Sequence, residues 1–323
     1  MRLTVFVLAC MLTWSATGRA EDVVLRVNIF PEAQNVGLYS AIENGLFAKR
    51  GLTVVVQFTS TSSAQREGLV HGDFEIAQAG VDNAVALVQT AKQDVIIVAG
   101  GGDGGNRLIV RPEIKSFADL KGKAVVVDSA VTAYAFLAYR MLEVTGLQKS
   151  DYVIKPAGAC PLRLEAMRSD PANAAAMLNP PCSLRALKDG FVDLGLATSV
   201  VGPYQADGVW VMRSWASAHG EVLVHYLEGL IEGYRWAVDP ANREAAAAIV
   251  AKYLKLDQDT ALAAVDAAVG PGGSLAKDLA LNMEAFRNTL RLRAEFAGGD
   301  ANATPETYLD LSYYRRATDQ PAH

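Results

Sequence analysis

The stretch from Val36 to Asn83 switches repeatedly between a helical and a strand-like apolar period, and few folds accommodate that order. Leu38, Ala41, Ile42, Leu46 and Phe47 recur at helical spacing. Gly45 and Gly51 are residues that end helices. Thr53 to Phe58 is a β-branched run of strand length. Thr59 to Ser63 is a small polar turn, a second helix follows it, and Phe74 to Ala79 is the next strand. Gly80-Val81-Asp82-Asn83 then turns into a helix over Ala84 to Ala91. Strands alternating with helices imply an α/β chain built on open, largely parallel sheet.

In such sheets ligands bind beyond the carboxyl ends of the strands. Val24 to Phe30 is the first strand, so Pro31, Gln34 and Asn35 fall at that edge. Ser60, Thr61, Ser62, Asp82 and Asn83 fall there too. The first amides of a helix lack intrahelical partners, and the helix dipole favours negative charge at that end. A hydroxyl-rich turn from strand to helix therefore suits an oxyanion. The competing reading of Thr61, Ser62 and Asp82 is that they only cap their helices. If Asp82 faces a ligand, it receives a cationic or amino group, whereas Asn83 both donates and accepts.

The pattern recurs further along. Val95 to Ala99 is a strand, and Gly100 to Asn106 reads as a flexible turn near a hinge, with Gly105 able to offer backbone to a ligand. No Gly-Lys-Ser/Thr follows it, so it is not a nucleotide-phosphate loop. Arg107 to Arg111 is a strand broken by Pro112, and Ala124 to Asp128 is another. Ser129, Ala130 and Thr132 precede a helix over Ala133 to Val144, mirroring Ser60 and Ser62. Two helix N-termini would then face one cleft. Tyr152 to Pro156, Ala174 to Leu178 and Leu194 to Ala197 add strands, and Asn179-Pro180-Pro181 is a stiff turn at the cleft mouth. Val209 to Arg213 returns the chain. The expected organisation is one lobe from residues 21–110 and 209–323 and a second from 111–208, with two crossings as the hinge. From Glu221 onward the periodicity is helical over Tyr226–Val238, Arg243–Leu254, Gln258–Ala268 and Leu275–Phe296.

Met1-Arg2, an apolar run from Leu3 to Trp14 and a small-x-small ending read as a secretory signal over residues 1–20, cleaved after Ala20. A lipoprotein signal at Cys10 fits less well, because Leu8 and a cramped apolar region oppose it. Export leaves Cys160 and Cys182, each after an expected strand. They either form a disulfide or stay as half-buried thiols. A net charge of −5 opposes nucleic-acid binding. The four histidines form no metal motif, no Cys-x-x-Cys occurs, and there is no Gly-x-Ser-x-Gly elbow. The chain therefore reads as no enzyme, with no cofactor and no metal.

The segments YSAIENGLFAKRGLTVVVQF, SSAQREGLVHGDFEIAQAGVDNAVAL, RLIVRPEIKSFADLKGKAVVVDS and NPPCSLRALKDGFVDLG resemble the periplasmic substrate-binding proteins of nitrate, sulfonate, taurine and thiamine-pyrimidine ABC importers. The resemblance runs from about Val24 to Val211. It implies a type II periplasmic binding protein fold: two lobes, each a mixed sheet flanked by helices, closing on a small ligand by a hinge. It implies a monomer in the periplasm and, as partners, an inner-membrane permease and its ATPase. The cleft turns favour a small organic anion, a sulfonate or carboxylate, aromatic or aliphatic, with Arg107 and Arg163 nearby. The alternatives are nitrate, bicarbonate, a neutral pyrimidine or a role as a periplasmic sensor. Some relatives of this fold make a thiamine pyrimidine using a cysteine-rich segment that this chain lacks.

Overall fold

A computed structural model describes residues 22–270, 273–298, 300 and 303–318. The signal segment 1–20 lies outside the described residues. Ten strands form: β1 Val23–Ile29, β2 Leu52–Phe58, β3 Ile76–Gly80, β4 Val95–Ala99, β5 Arg107–Val110, β6 Ala124–Val127, β7 Val153–Pro156, β8 Asn173–Leu178, β9 Val192–Leu196 and β10 Asp207–Met212. They make two five-stranded sheets, ordered β2-β1-β3-β10-β4 and β7-β6-β8-β5-β9. Each sheet contains one strand that runs against its neighbours. β10 is antiparallel to β3 and β4, and β5 is antiparallel to β8 and β9.

The helices are α1 Val36–Glu43, α2 Ser62–His71, α3 Val81–Gln89, α4 Ala133–Glu143, α5 Cys160–Ser169, α6 Cys182–Lys188, α7 Thr198–Val201, α8 Arg213–Ala218, α9 Gly220–Val238, α10 Arg243–Leu254, α11 Gln258–Val269, α12 Met283–Ala297 and α13 Ser312–Thr318. Among the described residues no helix is long and apolar enough to cross a membrane. The apolar face of α9, from Leu223 through Tyr226, Leu227, Leu230 and Tyr234, packs into the core of the first sheet with Leu25, Val27 and Ile29. The second sheet has a separate core around Val125, Val127, Phe136 and Met177. Helix α12 reaches both. Phe286 and Leu290 pack with Ile97 and Trp210, while Leu292 packs with the second core.

Three expectations change. Arg107–Val110, placed at the end of the first lobe, hydrogen-bonds inside the second sheet. The chain turns earlier, in the glycine run, and the apolar β5 fills the slot between β8 and β9. That run is no loose turn either. A Cβ on Gly102 would sit 2.0 Å from the Ser274 carbonyl oxygen, so glycine is needed for close approach. The third change is at the last long helix, which begins at Met283 instead of Leu275. The Asn282 side chain accepts from the Ala285 amide at 3.0 Å and starts it there, and the segment before it packs on the glycine run.

Candidate functional site

Strand register assembles the site. Ile29 pairs with both Phe58 and Gln78, so the loops after β1, β2 and β3 emerge at one edge. In the second sheet Val127 pairs with Pro156 and Val126 with Ala176, which aligns the loops after β6, β7 and β8. The two edges face each other. The Ala159 amide donates to the Ser60 carbonyl at 2.8 Å, and the Ala33 amide to the Pro180 carbonyl at 3.4 Å. Two small cavities open here, the first walled by both lobes and the second by the first lobe alone. One, of about 30 Å³, is lined by Phe30, Ser62, Asn83, Asp128, Tyr134 and Arg163 among others. Its neighbour, of about 20 Å³, is lined by Gln34, Asn35, Gln78, Asp207 and Tyr234 with apolar Leu275 and Leu279. Phe30 and Glu32 line both.

The charges on these walls are mostly negative. Asp82 is 2% exposed and its two oxygens are occupied: Arg293 Nη1 donates to one at 2.9 Å and the Ala133 amide to the other at 3.1 Å. Thus a carboxylate from α3 already caps the N-terminus of α4 across the cleft. Arg163, 1% exposed, gives Nη1 to the Gly158 carbonyl at 2.9 Å, while its Nε and Nη2 have no protein partner. Its guanidinium lies 5.2 Å from the Tyr134 ring centre. Burial pushes the Glu32 and Asp128 carboxyls up from their ordinary values, and the Arg163 charge opposes the rise in both. Asp207 is pushed up further, by burial and then by Glu32 and Asp103. No cation is among its influences.

The residues expected from the sequence divide by position. Ser62, Asp82, Asn83 and Thr132 line the first cavity, and Gln34 and Asn35 line the second. Thr61 is a cap, its side chain accepting from the Ala64 amide at 3.1 Å. Thr132 donates to Asp128 at 2.6 Å. Pro31, Ser60, Gly105, Ser129, Ala130, Asn179 and Pro180 line neither cavity. Ser60 and Pro180 contribute the carbonyls that join the lobes, and Gly105 donates its amide to Asp103 at 2.9 Å. Asn179 is fully buried beside Glu32. Cys160 and Cys182 are buried free thiols, with Cys160 Sγ donating to the Asn179 carbonyl at 3.5 Å, so no bridge joins them in this structure.

Four residues at the centre were not expected: Glu32, Asp128, Asp207 and Gln78. Glu32 and Asp128 each follow a parallel strand, so the edge rule reaches them. Asp207 opens β10, which runs antiparallel. Its amino end, paired with Gly80, is the end that faces the cleft. A rule about carboxyl ends passes over it. Among the described residues no group of three or more His, Cys, Asp or Glu side chains is placed to hold a metal.

Residues 18–251 match the NMT1-like family. No curated protein matches the sequence. Among solved structures, the periplasmic nitrate-binding protein NrtA from Synechocystis PCC 6803 superposes with a TM-score of 0.76 at 13% identity, over 92% of this chain and 89% of that one. The alkanesulfonate-binding protein SsuA from Xanthomonas axonopodis pv. citri, bound to MOPS, gives 0.72 at 17%, over 91% and 99%. The desulfurization enzyme DSZB gives 0.65 at 14%, over 92% and 99%. These likenesses establish the periplasmic binding protein fold that the sequence resemblance implied.

Proposed function

We propose a function from the fact that this chain belongs to the NMT1-like family. The protein is the solute-binding component of an ABC import system. It takes a small organic anion, a sulfonate or carboxylate, between its two lobes and delivers it to a membrane permease and its ATPase. It acts as a monomer in the periplasm after loss of residues 1–20. One observation carries the reading: Arg163 is buried in the cleft wall with two N–H groups unpartnered and directed at no other protein acceptor. Guanidinium groups with free N–H edges suit planar or tetrahedral oxyanions. NrtA is a nitrate-binding and SsuA an alkanesulfonate-binding protein, and both ligands are oxyanions.

Ligand bound between lobes favours the closed arrangement by its differential affinity for it. The cavities, of about 30 and 20 Å³, are far smaller than a small-molecule site, so a ligand enters by parting the walls. DSZB has the same fold and is an enzyme, but none of the described histidines lines either cavity. The cleft therefore lacks a histidine base beside Cys160 or Ser62.

The test is thermal unfolding of residues 21–323, refolded to strip bound molecules, against nitrate, bicarbonate, alkyl and aryl sulfonates, carboxylates and aminopyrimidines. A ligand at about a hundred times its Kd stabilises by about 2.7 kcal/mol. A shift with an organic anion and no turnover supports the reading. A flat response to every anion, or turnover of one, overturns it. On export, Cys160 and Cys182 enter an oxidising compartment, where they either bridge or stay as thiols. Thiol titration of the unfolded periplasmic protein finds none if they do and both if they do not.

A further inference from the structure

The two cavities carry unpaired groups of opposite kind. In the first, Arg163 offers two donors. In the second, Asp207 Oδ2 and Gln34 Oε1 are acceptors without protein partners. The side-chain donors that line the cavity are committed elsewhere, although the nearby Ser274 hydroxyl is itself unpaired. Gln78 Nε2 donates to Asn35 at 2.9 Å and to the Tyr234 hydroxyl at 3.0 Å. The Tyr234 hydroxyl donates to the Gln34 carbonyl at 2.7 Å, and Gln34 Nε2 to the Gly104 carbonyl at 2.9 Å. No Lys or Arg lines this cavity. The acids nearest Asp207 in their effect are Glu32 and Asp103, which repel it. A buried carboxylate flanked by acids is costly to keep unless a positive group arrives.

We infer that the ligand is dipolar, with its anionic end on Arg163 and a protonated amine or amidinium end on Asp207 and Gln34. This rests on the capture reading above. Phe30 and Glu32 line both cavities, so the two ends belong to one molecule. Asp207 is then the residue that separates an amino-bearing anion from a plain one, because the plain anion leaves both acceptors unpaired. The acidic walls also disfavour a simple anion, which meets Glu32 and Asp128 with no counter-charge of its own.

The experiment is calorimetric titration of residues 21–323 with matched pairs: propanesulfonate and its ω-amino derivative, butyrate and its ω-amino derivative, benzoate and its para-amidino derivative. In at least one pair the amino or amidino member is expected to bind about tenfold tighter or more. Asp207→Asn is expected to bring that pair to within about threefold. If the plain member of every pair that binds does so as tightly as its partner, the dipolar assignment fails while capture of an anion stands. If no member binds, both fail. The wild-type ratios decide even if the variant does not fold.

Discussion

Arg163 reaches the cleft from the first turn of α5 and uses one N–H to hold its own entry loop at Gly158. The remaining N–H groups form an edge that lysine cannot copy, because an ammonium is a point donor. Arg163→Lys is expected to keep the charge beside Glu32 and Asp128 and to lower affinity for the anionic ligand by about 10- to 100-fold, the range for losing one charge-assisted hydrogen bond. Isothermal titration measures it, and unchanged affinity would remove Arg163 from the site. The cleft acids set a pH dependence. Glu32, Asp103, Asp128 and Asp207 all have raised values in the folded chain, chiefly from burial. The folded state therefore binds more protons than the unfolded one above the ordinary carboxylate range. Stability is fully present below that range and falls as pH rises through the folded values. Exposed Asp257, held down to about 2 by Thr260, titrates lower and acts in the opposite direction in a separate window. The melting temperature of stripped protein is expected to fall from about pH 5 upward. Asp207→Asn should melt higher at pH 7 and show a shallower slope. A variant that melts lower with the same slope would contradict the placement of Asp207.

Helices α1 and α9 approach closely at Gly37 and Gly233. A Cβ on Gly37 would lie 2.2 Å from the Tyr234 ring, and one on Gly233 would lie 2.2 Å from the Gly37 carbonyl oxygen. Gly37→Ala must displace Tyr234, whose hydroxyl joins Gln34 to Gln78. Overpacking of this kind costs about 1–3 kcal/mol. Chemical denaturation should show the loss and titration a weaker ligand. Normal stability would mean that the helices part easily. The ten strands were legible because each is a short β-branched or apolar run between turn residues. Helices α5 and α6 were not: Leu162 and Leu187 stand exposed while Arg163 is buried, so the apolar period does not mark the buried face. Arg163 was visible as a nearby charge but not as a helix residue aimed into the cleft. The two helix N-termini expected from the sequence bring Ser62 and Thr132 to the same cavity. The N-terminus of α4 does face the cleft, but Asp82 fills it, satisfying the cap and the inter-lobe contact with one carboxylate.

The molecule is two sheets with separate cores, joined by crossings at 100–106 and 197–206 and spanned by α12. The antiparallel strands β5 and β10 begin directly after these crossings, so each hinge segment ends at the cleft. Asp207 follows the second crossing directly and lines the second cavity, so on the proposed reading a group bound to it acts at the pivot. If a ligand is held by both lobes, the unliganded protein samples arrangements with the walls apart, and ligand depletes them. Small-angle X-ray scattering of stripped residues 21–323 measures this directly, with and without the anion that raises the melting temperature most. Capture between the lobes predicts a smaller radius of gyration and a narrower distance distribution at saturation. Identical scattering curves with saturating ligand would contradict it.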